Sequence, residues 1–365
     1  GADGEIVAGR GFWPGLCVSL KHNSKFASFT LIAKGDFPAE LNIPIPFSLV
    51  SNDVSHDKLV VMPAYWFQYN MYALARNSGK YNSRDKRTEK IQQLEYDYLA
   101  PDSVNEIFDA LQLIKQSTAR AWALKNKKTI AAKDLTRQGE ALLEKNKDLA
   151  DLEILADGFE NTSRKVQLIK AAEAASIFKE LVVYYGITQL LSLIERKNIT
   201  SFKKLLQLLP AKPKREAWTN VGGQLMPSAA LQTMIKQIHS GRINTWDDVH
   251  GVYGKQNDAY ADNKAAHAFA SLLEVLKLTP ARFTDKIFTE LLQQTIKTRE
   301  WMTAGIYESR AKDYRNPFRK MVYETDKEME KIIGKLKDNS FIKQQQEETV
   351  AFKKQVQSVI GKFSL

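Results

Sequence analysis

Apolar residues recur at six-residue intervals near the start of the chain, at Ile6, Phe12 and Val18, with glycines between them. This spacing is typical of a left-handed parallel β-helix made of hexapeptide repeats, in which stacked turns bury each other's apolar positions. The pattern begins in mid-repeat, so we expect the end of a longer solenoid. Residues 26–35 alternate and predict further short strands, whereas the prolines within 42–47 predict an extended cover at the solenoid's edge.

From Pro63 onward the apolar period becomes helical. Ser103 and Glu106 match a capping box at the start of one helix. Residues 77–85 predict a loop by composition, and residues 218–227 predict a turn-rich insertion. The predicted helices lie at about 65–75, 103–124, 134–146, 163–196, 228–240, 260–277, 280–310, 325–337 and 340–362.

These patterns predict an α+β fold class: the short end of a left-handed parallel β-helix followed by a mainly α-helical region. The chain of 365 residues is long enough for two or three domains. We expect the terminal β-helix turns and their cover in residues 1–55, one helical domain in 56–211 and another in 212–365. The two helical domains have apolar faces that can pack together as one.

Composition indicates a globular protein of a reducing compartment. The hydrophobic content of 44% is enough to form cores, and the one cysteine, Cys17, excludes an internal disulfide framework. The longest apolar stretch, residues 181–194, is interrupted by polar side chains and predicts a buried helix. We therefore expect a cytoplasmic protein with no membrane partner.

The net charge of +11 belongs to the helical part. Residues 1–100 carry 11 Lys and Arg against 10 Asp and Glu, and the remainder carries 42 against 32. Charge spread along amphipathic helices usually forms a solvated face, whereas nucleic-acid sites cluster cations with stacking aromatics. In residues 307–320 cationic and aromatic residues alternate, but acidic residues and Pro317 interrupt this segment. Nucleic acid is thus the least favoured partner.

Two polar and aromatic clusters are candidates for a binding site. The first cluster, which includes Arg10 and Asn23, lies among the predicted strands, and the second, which includes Trp66 and Asn77, lies on the first helix. We expect the two clusters to share a cleft. His22 stands at a bend, where a neutral imidazole can act as a general base; the alternative is a hydrogen-bonded turn residue. Catalysis is therefore assigned to His22, and ligand binding to Arg10, Trp13, Lys21, Asn23, Trp66, Asn70, Arg76 and Asn77.

Each of these residue types matches one binding role. The guanidinium groups of Arg10 and Arg76 suit a phosphate or carboxylate, and the rings of Trp13 and Trp66 suit a base or sugar face. The structural alternatives are an arginine that binds loop carbonyls and aromatic residues that form a helix core. Both alternatives stay open at this point.

Motifs of several enzyme classes are absent from the sequence. Residues 9–15 have the wrong glycine spacing for a dinucleotide fingerprint, and no Walker loop, zincin helix or nucleophile elbow occurs. Kinases, dehydrogenases and metalloproteases are thereby disfavoured. His239, His250 and His267 lack a second ligand one helical turn away, so no metal site is predicted.

Several segments together resemble a family of uncharacterised bacterial proteins that carry a domain of unknown function. The family has an N-terminal left-handed β-helix of hexapeptide repeats and a C-terminal helical region, and this chain resembles its C-terminal part. The resemblance covers about residues 3–110 most specifically. The segments that carry it are DGEIVAGRGFWPGLC (3–17), KHNSKFASF (21–29), PIPFSLVSN (44–52), MPAYW (62–66), MYALARN (71–77) and YDYLAPD (96–102).

The resemblance implies a loose similarity to hexapeptide acyltransferases and sugar-nucleotide pyrophosphorylases. In such acyltransferases a histidine is the base for acyl transfer from a thioester, which implies this role for His22. The first functional hypothesis is thus a sugar- or nucleotide-linked transferase, with acyl-CoA or a nucleotide-sugar as substrate and its site where the β-helix meets the first helix. The second is a non-catalytic interaction or oligomerisation module that caps the solenoid, and the third is nucleic-acid binding. A second copy and a small molecule are accordingly the candidate partners, and no cofactor is identified.

Overall fold

Short strands are distributed along residues 6–62, and most of the long helices follow. The structure, a computed structural model, describes residues 4–90, 92–145, 149 and 151–363. The strands are β1 Ile6–Ala8, β2 Trp13–Pro14, β3 Val18–Leu20, β4 Ser24–Phe26, β5 Leu31–Ile32, β6 Gly35–Phe37, β7 Asn42–Ile43, β8 Leu49–Asp53, β9 Lys58–Met62, β10 Lys165–Leu168, β11 Trp218–Val221 and β12 Gln224–Pro227.

The helices differ widely in length, from one turn to more than eight turns. They are α1 Tyr65–Tyr69, α2 Met71–Arg84, α3 Pro101–Lys125, α4 Leu135–Lys145, α5 Ala171–Arg196, α6 Phe202–Leu208, α7 Ser228–His239, α8 Trp246–Leu276, α9 Asp285–Arg315, α10 Pro317–Lys320, α11 Asp326–Ile333 and α12 Ser340–Phe363.

The strands pair in four small sheets. Their orders are β1-β4-β7, β3-β6, β11-β12 and β10-β9-β8-β5-β2. Pairing is parallel in the first two, with Ile6 opposite Ser24 and Val18 opposite Gly35. The five-stranded sheet is mixed, because β8 and β9 are antiparallel. They are joined by a tight turn that ends at Asp57 in the left-handed region.

The predicted left-handed parallel β-helix is wrong. The protein is 59% helical, its sheets are small and mixed, and the described residues form no parallel β-helix solenoid. The six-residue spacing was interpreted as a set of inward positions, yet Ile6 is 45% exposed and Phe12 and Val18 are only half-buried. An α+β class is consistent with the observed elements.

Several element predictions need correction. Residues 77–84 continue α2 instead of forming a loop, since packing of α2 against α9 outweighs the low helix propensity of Asn, Ser and Gly. The helix predicted from 163 begins at Ala171, because residues 165–168 form β10 beside β9. Residues 218–227 form a hairpin that turns at Gly222 and Gly223, both with positive φ. The helix predicted at 134–146 is α4, and residue 146 lies outside the described residues, as does Asp3.

The chain divides into two compact units, each made of three sequence segments. Unit 1 comprises Gly1–Tyr65, Ile91–Val182 and Glu216–Asn257; unit 2 comprises Trp66–Lys90, Val183–Arg215 and Asp258–Leu365. The predicted domains are continuous stretches of the chain that end at residues 55 and 211, and this division stays a prediction.

Each unit has an apolar core. In unit 1 the strands bury Ile32, Phe37 and Val50, and α3 buries Val104 and Ile107. In unit 2 the core is formed by the second half of α5 with α8, α9 and the end of α12. Helix α5 is long and apolar enough to cross a membrane, but 67% of its most apolar window is buried in the protein, as in a core helix.

Candidate functional site

The loops that follow β3 and β6 lie side by side in unit 1. The Leu41 N–H donates to Ser24 Oγ at 2.9 Å, and the Lys25 N–H donates to the Leu41 carbonyl at 2.7 Å. These bonds bring Glu40 near Lys21 and His22. A third segment joins them, since the Asn161 N–H donates to the Glu40 carbonyl at 3.0 Å.

We name this surface, formed by Lys21, His22, Glu40 and Asn161, the His22 corner. The Asn161 side-chain amide donates to Glu40 Oε2 at 3.0 Å. This hydrogen bond is the main cause that lowers the pKa of Glu40 below its ordinary value, and the charges of Lys21 and His22 lower it further. Glu40 is therefore a carboxylate with a nearby imidazole and ammonium group.

The backbone around His22 shapes the corner. The His22 ring lies over Gly4, where any Cβ would overlap the ring. Asn23 follows with a φ of 63°, and its N–H donates to the Glu5 carbonyl at 2.6 Å. Asn23 is exposed, whereas His22 and Lys21 are half-buried. The corner thus presents polar groups at the surface of unit 1, where they can hydrogen-bond a polar ligand.

Arg10 serves as an anchor between the first strands and α3. Its Nε and Nη2 donate to the two carboxylate oxygens of Asp102 at 2.7 and 2.8 Å, and Nη1 donates to the Asp97 carbonyl at 2.9 Å. Its side chain is 7% exposed, and the guanidinium lies 5.6 Å from the Phe29 ring centroid. An anionic ligand would have to compete with Asp102 for this group.

Glu106 lies beside this ion pair. The predicted capping box differs from the observed one, since α3 begins at Pro101 and the Ala100 N–H donates to Ser103 Oγ at 3.1 Å. Glu106 Oε2 instead accepts the Ser28 N–H at 2.9 Å. Burial, and next the charge of Asp102, raise the pKa of Glu106 to about 7.

The second predicted cluster belongs to unit 2. Trp66 is 2% exposed and is one of the largest fully buried side chains, so its ring offers no face to a ligand in this structure. Asn70 precedes α2, and Asn77 is half-buried within it. Arg76 is exposed and lies 5.8 Å from the Tyr72 ring centroid.

The predicted residues therefore fall into two groups. Lys21, His22 and Asn23 meet at one corner of unit 1, and Trp13, 41% exposed, belongs to the same unit. Trp66, Asn70, Arg76 and Asn77 belong to unit 2. The cleft that the two groups were expected to share stays a prediction.

Sequence reasoning missed Glu40, Asn161 and Asp102. Glu40 bonds Asn161, which is 121 residues away along the chain, and Asp102 bonds Arg10, which is 92 residues away, and no local motif encodes either pair. The parallel register of β3 with β6 could have indicated Glu40, because it places the loops after the two strands together.

Comparisons with known proteins identify relatives without a known activity. Residues 201–363 match the family model described as a domain of unknown function, DUF6819. The chain is similar to an uncharacterised protein of Treponema pallidum (strain Nichols), with 34% identity over 349 residues. That match covers 95% of this chain and 46% of the relative, so the chain spans about half the relative's length.

Both matches support a bacterial family of unknown function. This part of the predicted resemblance agrees with the comparisons, and the hexapeptide-repeat β-helix is not supported. No solved structure matches the chain.

Proposed function

We propose that this chain is an interaction module that pairs with a second copy of itself through the ends of its N-terminal sheets. The observation that carries the proposal is the sheet order, in which β1, β2 and β3 are each the terminal strand of their sheet among the residues that the structure describes. We call the outer side of these strands, with the loop between β2 and β3, the open edge.

Exposed apolar side chains lie along the open edge. Ile6 is 45% exposed, Val7 54%, Trp13 41% and Leu16 88%. Four large apolar side chains within eleven residues are costly to leave in water, since each contributes about 1.5–3 kcal/mol when it is fully buried. Terminal strands also offer backbone groups that pair readily with another chain.

Backbone pairing is restricted at β2. The N–H groups of Trp13 and Gly15 donate inward, to Thr30 and Ile32 of the neighbouring chain segment. Successive residues of a strand direct their backbone groups to opposite sides, so those of Pro14 face outward. Because proline has no N–H, Pro14 has no donor for a second chain. We therefore expect β1 and β3 to supply the backbone hydrogen bonds between copies, and Trp13 and Leu16 to supply apolar contact.

A second copy is the occupant favoured by charge. Residues 1–100 are close to neutral, whereas the remainder carries ten more cations than anions. A twofold dimer brings the same surface of each copy together, so contact through the near-neutral part avoids the repulsion that contact through the helical part would create.

The test is the dependence of molar mass on concentration, measured by light scattering after size exclusion. We expect wild-type protein to dimerise and the variant Val7→Lys/Leu16→Lys to be monomeric, because two ammonium groups cannot be buried in the interface. Val54→Lys is the matched control, since Val54 is 79% exposed in unit 1 away from the open edge. A wild-type monomer at every soluble concentration, or equal loss with Val54→Lys, would refute the proposal.

A second candidate function is a sugar- or nucleotide-linked transferase in which His22 removes a proton from the acceptor hydroxyl or amine. The His22 corner favours it, because it brings the imidazole of His22 and the carboxylate of Glu40 together at the surface of unit 1, where both can hydrogen-bond a polar substrate. Thermal shift with acyl-CoA and with nucleotide-sugars tests this candidate. We expect a shift that His22→Ala abolishes and that His56→Ala retains; no shift with either ligand class would exclude it.

A further inference from the structure

Three large apolar side chains project from the chain just after the end of α9. Phe318 is 73% exposed, Met321 71% and Val322 69%. They lie on α10 and on the turn that follows it, within five consecutive residues of unit 2. We call residues 315–322 the tip.

Local hydrogen bonds define the conformation of the tip. Asn316 Oδ1 accepts the N–H groups of Phe318 at 2.9 Å and Arg319 at 3.2 Å. The Met321 N–H donates to the Pro317 carbonyl at 2.9 Å, which closes the turn. The apolar side chains are thus presented by a capped turn whose backbone groups are satisfied.

Cations surround these apolar side chains. Arg315, Arg319 and Lys320 are within the tip, and Lys312 precedes it by one helical turn. Each cation has an ion-pair partner at 3.1–3.2 Å: Glu308 for Arg315, Asp313 for Arg319 and Asp326 for Lys320. Glu308 and Asp326 are exposed and Asp313 is half-buried. Exposed ion pairs contribute little to stability, so Arg315 and Lys320 can exchange partners at little cost.

We propose that the tip docks on an anionic lipid surface, which differs from the sequence-based expectation of no membrane partner. Phe318, Met321 and Val322 enter the boundary between headgroups and acyl chains, and Arg315, Arg319 and Lys320 contact lipid phosphates and carboxylates. Basic side chains near an anionic leaflet are attracted by its negative surface potential. Burial of apolar side chains in the acyl region adds to this attraction, so a few side chains are enough for reversible binding.

The size and chemistry of the tip favour lipid over two other partners. A stable protein interface buries about 800 Å² on each side, far more than three side chains at a convex turn provide. Single-stranded nucleic acid would stack on Phe318, but bases and phosphates gain nothing from Met321 and Val322. Transfer from water to hydrocarbon is favourable for all three side chains.

Co-sedimentation with vesicles tests this proposal. The probes are phosphatidylcholine vesicles with and without phosphatidylserine, at low and high salt. We expect wild-type protein to bind the anionic vesicles, to bind the neutral ones more weakly and to lose affinity as salt rises. Phe318→Ser/Met321→Ser should weaken binding to anionic vesicles by about tenfold or more.

Leu208→Ser is the matched control, since Leu208 is 55% exposed in unit 2 outside the tip. Thermal melting of each variant confirms that it folds. Equal binding of neutral and anionic vesicles, or equal weakening by Leu208→Ser, would overturn the proposal. Retention on single-stranded DNA without binding to vesicles would overturn it in favour of nucleic acid.

Discussion

At the scale of single residues, Glu106 has the environment most opposed to its charge. It accepts one hydrogen bond from Ser28, faces the Asp102 carboxylate and lies near Arg10, and burial raises its pKa to about 7 from 4.5. Between these two pH values the folded state binds a proton that the unfolded state has lost. The contribution of Glu106 to the free energy of unfolding is therefore largest below about pH 4.5, and it decreases as pH rises to about 7.

Replacement of Glu106 by Gln should remove this loss. The amide is neutral at every pH and its oxygen can still accept the Ser28 N–H, so we expect equal stability at low pH and a variant about 3 kcal/mol more stable above pH 7. Chemical denaturation of both proteins across this pH range measures the difference. Parallel curves at all pH values would contradict the assigned environment.

Single residues were predicted well where their chemistry is local and poorly where it depends on a distant segment. The sequence located His22, Lys21 and Asn23 at a bend after a strand, and the structure places them there. It could not supply Glu40 or Asn161, because both reach the corner through strand register and a distant segment. It also did not settle that Trp66 is buried, since aromatic residues at helical spacing, although they more often form a core, also fit a ligand platform.

At the scale of elements, α3 and α4 approach each other closely at Gly139. A Cβ on this residue would overlap the main-chain carbonyl of Lys115, which cannot move without distortion of α3. We expect Gly139→Ala to destabilise the protein by about 1–3 kcal/mol, the usual range for overpacking. Gly251→Ala in α8 is the control, because open space surrounds Gly251 and alanine favours a helix by about 0.5–1 kcal/mol.

Thermal denaturation distinguishes these two glycine variants. Gly139→Ala should melt below wild type and Gly251→Ala at or above it. A tolerated Gly139→Ala would mean that α3 and α4 are separated more widely than described. Most helices were predicted from their apolar period, but the sequence does not show close helix contacts such as the one at Gly139. It also does not show the tertiary contacts that make residues 165–168 a strand and residues 77–84 part of a helix.

At the scale of the whole molecule, the two units differ in the buried group that titrates. His267 in unit 2 forms a hydrogen bond with the Tyr185 hydroxyl through Nδ1 at 3.2 Å. Burial, and next the charge of Arg215, lower the pKa of His267 to about 3 from 6.5. Between these values only the unfolded state binds the proton, so the stability contributed by His267 is lost as pH falls from about 6.5 towards 3.

The units should therefore respond to acid in opposite directions. As pH falls from about 7 to about 5, we expect unit 1 to gain stability through Glu106 and unit 2 to lose it through His267. Amide hydrogen exchange, corrected for intrinsic rates and followed separately in α3 of unit 1 and in residues 258–276 of α8, which belong to unit 2, measures both. His267→Asn retains an acceptor near Tyr185 but does not titrate in this range, so it should abolish the loss in unit 2 alone. A common response of both units would show that groups other than Glu106 and His267 dominate the pH dependence.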